Sequence, residues 1–338
     1  MNLHYEVVYH LIEKQLKLRI VYMRNKNRSD RWMVFKEREK PFRLLVMESL
    51  ANRMNLSRDD RNKYANWVKG YNGEVKFDSI TEQLKCESLV LNDLYLTVRG
   101  KRFQLDTLVI TAKCLFVYEV KNFEGEYYYE NEKLYFERTK KEVFDPQYQI
   151  KNAESALRQL VDQMGYNWII KKLVVFVNND FTLFQAPRDS GIVLPGMIKS
   201  HFSMVNEISG RLNQNHYRFA EEIKPMHMED VSLHNVPYYE NELLKKGVTC
   251  FYCGSFIEIF TKNRTCICKY CSKEEVVSQT VIRHAQEFIR LFPEKKITTT
   301  AIYKWCDNRL SICRIRYVFN QHLTAKGTGR WRYYELKK

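Results

Sequence analysis

Two neighbouring apolar segments, each interrupted by one acidic residue, constrain the fold of this sequence most. Residues 103–111 and 114–121 are rich in Leu, Val, Ile and aromatic residues, which is typical of buried strands. Asp106 interrupts the first segment and Glu119 the second, and only two residues separate the segments, so the strands should pair. A lone buried carboxylate is expensive. The sequence therefore predicts a sheet in which both carboxylates share a cation.

A lysine beside the second carboxylate adds a chemical function to this pair. Lys121 follows Glu119 by two residues, so both side chains project from one face of the strand. Carboxylate oxygens suit Mg²⁺, which can polarise a phosphate and activate water, and a lysine can neutralise the charge that develops on the phosphate. Phosphodiester hydrolysis needs this set of groups. An ion pair on an exposed sheet face remains an alternative interpretation of the spacing alone.

The surrounding sequence predicts an α/β fold with a mixed sheet flanked by helices. The expected order is a helix from about Glu74, strands, a hairpin, a helix from Asp145-Pro146, and a final strand. The strands are expected at 88–97, 103–111, 114–121 and 172–178, with the hairpin at 127–136. Helical spacing also occurs at 5–18 and 42–54, weaker helical spacing occurs at 196–210, and residues 70–73 are expected to be a linker.

Five motifs in this region resemble, in order, the NERD (nuclease-related) domain, a family of the PD-(D/E)xK nuclease superfamily. They are Gly70-x-x-Gly73-Glu74, Val90-Leu-Asn-Asp-Leu94, Gln104-x-Asp106, Tyr118-Glu119-Val-Lys121-Asn122, and Asp145-Pro146 with Gln149. The resemblance covers residues from 70 to about 177. One departure is Lys113-Cys114, where family members often carry Gly.

The resemblance implies roles for the residues in these motifs. Asp106 and Glu119 would bind Mg²⁺ or Mn²⁺, and Lys121 would be the catalytic lysine. Glu74 would approach the metal as an accessory acid, and Gln149 would point into the cleft. For Glu74 the alternative is a solvated carboxylate favoured by the helix dipole, and for Gln149 it is a surface amide.

Two C-x₂-C pairs separated by 14 residues predict a zinc ribbon. Cys250, Cys253, Cys268 and Cys271 would supply the four thiolates that structural Zn²⁺ takes. Four protein ligands leave no open position for water, so the zinc should be structural. Cys266 could replace Cys268, although this exchange would break the paired spacing.

The C-terminal residues predict an α+β module that is similar to a winged helix. Helical periodicity covers 275–291, Thr298 or Thr299 can cap a second helix, and Ser311 can cap a third. An alternating strand follows at 330–336. The third helix would enter the major groove of DNA with Arg314, Tyr317 and Gln321, while Arg330 and Arg332 would contact phosphates from the wing. A helical protein-binding module is the alternative.

The charge distribution favours a nucleic-acid partner. The net charge is +15, with +8 in residues 1–70, +9 in residues 283–338 and −2 between them. Two basic ends suggest contact with a polyanion. No secretory signal is evident and no stretch approaches the roughly 20 apolar residues of a membrane span, so we expect a cytoplasmic protein without a membrane partner.

These observations predict a Mg²⁺-dependent nuclease that hydrolyses phosphodiester bonds in nucleic acid, with DNA as the favoured substrate. The expected parts are a basic helical region at 1–69, the NERD-like domain with its extension at 70–247, the zinc ribbon at 248–274, and the winged-helix-like domain at 275–338. A homodimer is one expected arrangement, since many nucleases of this fold class pair to cut both strands. The alternatives are a catalytically silent DNA-binding protein and a zinc-ribbon adaptor that binds proteins.

Overall fold

The computed structural model describes residues 32–188, 190–208, 210–261 and 264–336. The helix expected at 5–18 lies outside these residues. The chain divides into two compact units. Described residues 32–40 and 65–230 form the first, which we call the sheet unit, and residues 41–64 and 231–336 form the second, the helical unit. No helix in the described ranges is long and apolar enough to cross a membrane.

The chain combines helices with several short sheets. The α-helices among the described residues are α1 (Phe42–Arg53), α2 (Arg58–Thr81), α3 (Pro146–Gln163), α4 (Ile198–Asn206), α5 (Gln214–Ile223), α6 (Val277–Leu291), α7 (Thr299–Trp305) and α8 (Ile312–His322). The strands are β1 (Trp32–Lys36), β2 (Ser88–Val98), β3 (Lys101–Thr111), β4 (Cys114–Lys121), β5 (Gly125–Glu130), β6 (Lys133–Phe136), β7 (Lys141–Val143), β8 (Ile169–Phe176), β9 (Phe181–Phe184), β10 (Ile192–Val193), β11 (Ile259–Thr261), β12 (Thr265–Ile267), β13 (Glu274–Val276), β14 (Leu323–Lys326) and β15 (Tyr333–Leu336). This confirms a mixed α/β chain.

A six-stranded mixed sheet organises the sheet unit, with strand order β1-β2-β3-β4-β8-β10. The meander β2-β3-β4 is antiparallel, whereas β1 pairs in parallel with β2 and β8 pairs in parallel with β4. A smaller sheet, β7-β6-β5-β9, carries the predicted aromatic hairpin. The helix–strand–strand–strand–hairpin–helix–strand order predicted from the sequence is confirmed.

Both faces of the six-stranded sheet are covered. Leu108 and Val117 lie in one apolar cluster together with Leu157 of α3. Val109 and Tyr118, which alternate with them along the same strands, lie in a second cluster with Phe77 of α2. Because β3 and β4 are buried on both faces, their sequences are nearly continuous apolar runs. Asp106 and Glu119, which interrupt these runs, therefore lie in a part of the sheet that is buried on both faces.

The expected linker at 70–73 is wrong, because α2 runs through it without a break. A Cβ on Gly73 would lie 2.5 Å from the Cβ of Asn122, the residue after β4. Glycine is thus required by a close helix–strand approach rather than by a turn. The contact is reinforced by Asn122, whose Nδ2 donates a hydrogen bond to the Lys69 carbonyl at 2.8 Å. This approach carries the next residue, Glu74, toward the end of β4.

The helical unit is held by a buried ion pair. Arg53 of α1 donates to both carboxylate oxygens of Glu287 on α6, at 2.9 Å and 2.6 Å, and its guanidinium lies 4.1 Å from the centre of the Trp305 ring. The indole N–H of Trp305 donates to the same carboxylate at 3.0 Å. Burial alone would raise the pKa of Glu287, but Arg53 outweighs burial and lowers it to about 2. The carboxylate therefore stays charged in the folded protein.

Arg53→Ala should lower the free energy of unfolding of the helical unit by about 3–5 kcal/mol, because Glu287 would remain buried without its partner. Arg309→Ala is the matched control, since its ion pair with Asp307 is exposed and should contribute under about 1 kcal/mol. Urea denaturation of both variants measures the difference. Equal midpoints for the two variants would contradict this account of the buried pair.

Candidate metal and catalytic site

The pairing of β3 with β4 brings the two predicted carboxylates side by side. The register places Thr107 opposite Tyr118, so Asp106 and Glu119 are the next residues along the two strands. Asp106 accepts a hydrogen bond from the Val120 amide at 2.8 Å, so its side chain takes the place of a backbone partner. Asp106 is 6% exposed and Glu119 is 1% exposed. Both carboxylates are therefore removed from bulk water.

The predicted lysine and glutamine meet the second carboxylate. The ammonium of Lys121 donates to Glu119 Oε1 at 2.5 Å and to Gln149 Oε1 at 3.1 Å. Gln149 lies in the first turn of α3, whose N-cap Asp145 accepts hydrogen bonds from the Gln147 amide and the Tyr129 hydroxyl, both at 2.8 Å. The helix start predicted at Asp145-Pro146 is confirmed. The cap fixes where α3 begins, and this start places Gln149 within hydrogen-bonding distance of Lys121.

Glu74 lies beside these residues but is held by a group that the sequence analysis missed. Arg38, two residues after β1, donates to Glu74 Oε2 at 2.7 Å and to both oxygens of Asp78 at 2.9 Å and 3.0 Å. It also donates to the Asp106 carbonyl at 2.7 Å. A basic residue in a charged N-terminal stretch gives no local signal of such a role. Glu74 is thus neither freely solvated nor hydrogen-bonded to Lys121.

The carboxylates of this cluster raise one another's pKa. Burial, followed by the charge of Asp106, raises the pKa of Glu119 to about 8, although Lys121 opposes the shift. Burial and Asp106 likewise raise the pKa of Glu74 to about 8, against the opposing effect of Arg38. Burial raises the pKa of Asp106 as well. Each of these shifts favours the neutral carboxyl group, so added positive charge near the cluster would stabilise the ionised carboxylates.

The donor set fits a hard divalent cation. Five carboxylates act on one another here (Glu74, Asp78, Asp93, Asp106 and Glu119), while Arg38 and Lys121 are the cations that act on them. When all five carboxyls are ionised, a divalent cation would offset most of the excess negative charge. Mg²⁺ commonly takes one or two carboxylates and completes its shell with water and phosphate oxygens. Asp106 and Glu119 are suited to that arrangement.

The four cysteines of the predicted ribbon form a tight cluster in the helical unit. The Sγ atoms of Cys250, Cys253, Cys268 and Cys271 all lie within 4.8 Å of one another. In the described ranges of the chain, this is the one group of three or more potential metal ligands that is so compact. The three-stranded sheet β11-β12-β13 follows the first pair. The cluster fits a zinc ribbon.

Cys266 is not part of this cluster. It is fully buried, and the Thr280 hydroxyl donates a hydrogen bond to its sulfur at 3.7 Å. Burial raises the pKa of this thiol to about 11, so it stays protonated. The compact cluster contains the four cysteines that the paired spacing predicted.

The C-terminal residues form three helices followed by the antiparallel pair β14-β15. Thr298 and Ser311 cap α7 and α8 through their side chains, as predicted. The five residues predicted to bind nucleic acid lie on α8 or in the loop before β15; Tyr317, Gln321, Arg330 and Arg332 are exposed and Arg314 is half-buried. Arg332 donates to Asn320 Oδ1 at 3.2 Å, which links this loop to α8.

One protein-family model matches part of the sheet unit. The family model of the nuclease-related domain, NERD, matches residues 69–177. The match begins within α2 and ends one residue after β8, so it includes Glu74, Asp106, Glu119, Lys121 and Gln149. Comparisons with curated proteins and with solved structures gave no match. Arg38, the zinc-ribbon cysteines and the C-terminal helices lie outside the matched residues.

The purified protein should contain about one zinc ion per chain, and Cys250→Ser should release it. Cys266→Ser is the matched control, because Cys266 is as buried as Cys250 but lies outside the cluster. Elemental analysis of both variants, with thermal melting as a check on folding, measures the effect. Zinc-free folded wild-type protein, or equal zinc loss in the two variants, would refute the cysteine assignment.

Proposed function

We propose that this protein is a metal-dependent nuclease that hydrolyses phosphodiester bonds in nucleic acid, with DNA as the favoured substrate. The observation that carries the proposal is the contact of Lys121 with Glu119 and Gln149 beside the buried Asp106, in a domain of the nuclease-related family. Asp106 and Glu119 would hold Mg²⁺ or Mn²⁺. When bound, the metal supplies Lewis-acid activation of the phosphate and of the attacking water.

The protein's own groups would orient the reaction. Glu119 and Gln149 hold the Lys121 ammonium from two sides, which limits the positions of its remaining donor hydrogen. A fixed ammonium at this position can hydrogen-bond a phosphate oxygen or the attacking water and stabilise the charge that develops on the phosphate. Because the site is largely shielded from water, the local dielectric is low, and this strengthens the interactions of the ammonium.

The helical unit would supply contacts with the polyanion. Three helices and the β14-β15 hairpin follow the order of a winged helix, and an isolated antiparallel bridge joins Ile297 to Tyr334 of the hairpin. In this proposal α8 enters the major groove with Arg314, Tyr317 and Gln321. Arg330 and Arg332 would contact phosphates, and the zinc ribbon would provide a rigid support.

With Mg²⁺ or Mn²⁺ present, the wild-type protein should cleave DNA, and Asp106→Ala or Lys121→Ala should reduce the rate by at least about 100-fold. The reason is the loss of a metal ligand in the first variant and of the oriented ammonium in the second. Gel assays over a panel of single- and double-stranded DNA and RNA measure this.

Asp162→Ala and Lys133→Ala are matched controls with exposed side chains in the same unit. Undiminished metal-dependent cleavage in both site variants would exclude this site. DNA binding without cleavage of any substrate by the wild-type protein would favour the catalytically silent alternative.

Arg330→Ala/Arg332→Ala should weaken DNA binding and reduce the slope of log K against log salt by roughly 2, since each lost phosphate contact removes about 0.9 of slope. Arg158→Ala, an exposed arginine on α3, should leave the slope unchanged. Fluorescence anisotropy with a labelled duplex at several salt concentrations measures both. An unchanged slope in the double variant would show that Arg330 and Arg332 do not contact DNA phosphates.

A further inference from the structure

We infer that Arg38 is a positioning residue that sets Glu74 and the strand bearing Asp106 for metal binding. This inference rests on the proposed nuclease function and deepens it. Arg38 lies outside residues 69–177, which the family model matches, so the family comparison assigns it nothing. The inference adds residues 32–40, which precede the matched region, to the elements that form the site.

The guanidinium of Arg38 connects two elements that carry the site. On α2 it contacts Glu74 and Asp78, which are four residues apart and so share one face of the helix. On β3 it contacts the Asp106 carbonyl at 2.7 Å and the Thr107 hydroxyl at 3.2 Å. Its side chain is 3% exposed. One buried group thus fixes the distance between the accessory acid and the metal-binding strand.

The shape of the arginine side chain matters for this arrangement. Asp78 accepts from both Nε and Nη2, while Nη1 bonds Glu74 and Nη2 also bonds the backbone of β3. A planar fork with five donors can serve these acceptors at once, whereas an ammonium is a compact point charge with three donors. Arg38→Lys therefore keeps the positive charge but should lose most of these hydrogen bonds.

The segment that carries Arg38 is itself anchored to the sheet. Strand β1 pairs in parallel with β2, with Trp32 opposite Ser88 and Val34 opposite Val90. Lys36, which is buried, donates to the Asn92 and Asp93 carbonyls at 2.9 Å and 2.8 Å. This pairing delivers Arg38 to the same end of the sheet at which Asp106 lies. We conclude that the catalytic unit includes residues 32–40.

Two possible roles of Arg38 predict opposite effects on metal affinity. If Arg38 acted only through its charge, its removal would leave the site more negative, and a divalent cation would bind more tightly. If it positions Glu74 and β3, its removal weakens metal binding despite the gain in negative charge. The direction of the change in affinity therefore separates positioning from simple charge balance.

The experiment measures the dissociation constant of Mn²⁺ by isothermal titration calorimetry and the Mg²⁺ concentration that gives half-maximal cleavage, for wild type, Arg38→Met, Arg38→Lys and Asp78→Asn. We expect both quantities to rise about 10-fold or more in Arg38→Met, and in the same direction but less in Asp78→Asn. Arg38→Lys should restore only part of the affinity. Arg158→Met, at an exposed ion pair of the same unit, should match wild type.

Unchanged or tighter Mn²⁺ binding by folded Arg38→Met would overturn the inference while leaving the nuclease proposal intact. If that variant fails to fold, unchanged affinity in both Arg38→Lys and Asp78→Asn overturns it instead. A wild-type protein that neither binds Mn²⁺ nor cleaves any substrate would defeat the proposed function and this inference together.

Discussion

The burial of Asp106 and Glu119 on adjacent strands is the constraint on which the rest of the sheet unit depends. Both carboxylates are nearly inaccessible; burial and the charge of Asp106 raise the pKa of Glu119, and burial raises the pKa of Asp106. Such a pair is stable only with compensating groups close by. Lys121 supplies one from the same strand, and Arg38 supplies another from an edge segment far away in sequence.

The remaining architecture brings the other groups of the site within reach of this pair. Gly73 lets α2 approach Asn122, which places Glu74 near the end of β4. The Asp145 cap starts α3 at the residue that directs Gln149 toward Lys121. The parallel strand β1 carries Arg38 to the same place. Each of these features restricts the backbone or buries a charged group. Each is explained by the requirements of the acidic cluster around Asp106 and Glu119.

The sequence predicted local features well, because they depend on neighbouring residues. The strands around Asp106 and Glu119, the helix start at Asp145-Pro146, the N-caps at Thr298 and Ser311, and the four clustered cysteines follow from alternation, capping chemistry and ligand spacing. The sequence did not predict the contacts of Arg38, and it misassigned 70–73 as a linker. Those features depend on long-range packing, in which a glycine marks a close approach and an arginine finds partners about 40 to 70 residues away.

The central claim is that the Asp106–Glu119 pair is a metal site. The most direct measurement is a crystal structure of the wild-type protein grown with Mn²⁺, with anomalous diffraction data collected to locate the ion. The account predicts an anomalous peak bonded to carboxylate oxygens of Asp106 and Glu119 at about 2.0–2.3 Å, the range for oxygen ligands of such cations. A well-ordered site with no peak there at saturating Mn²⁺ would contradict it.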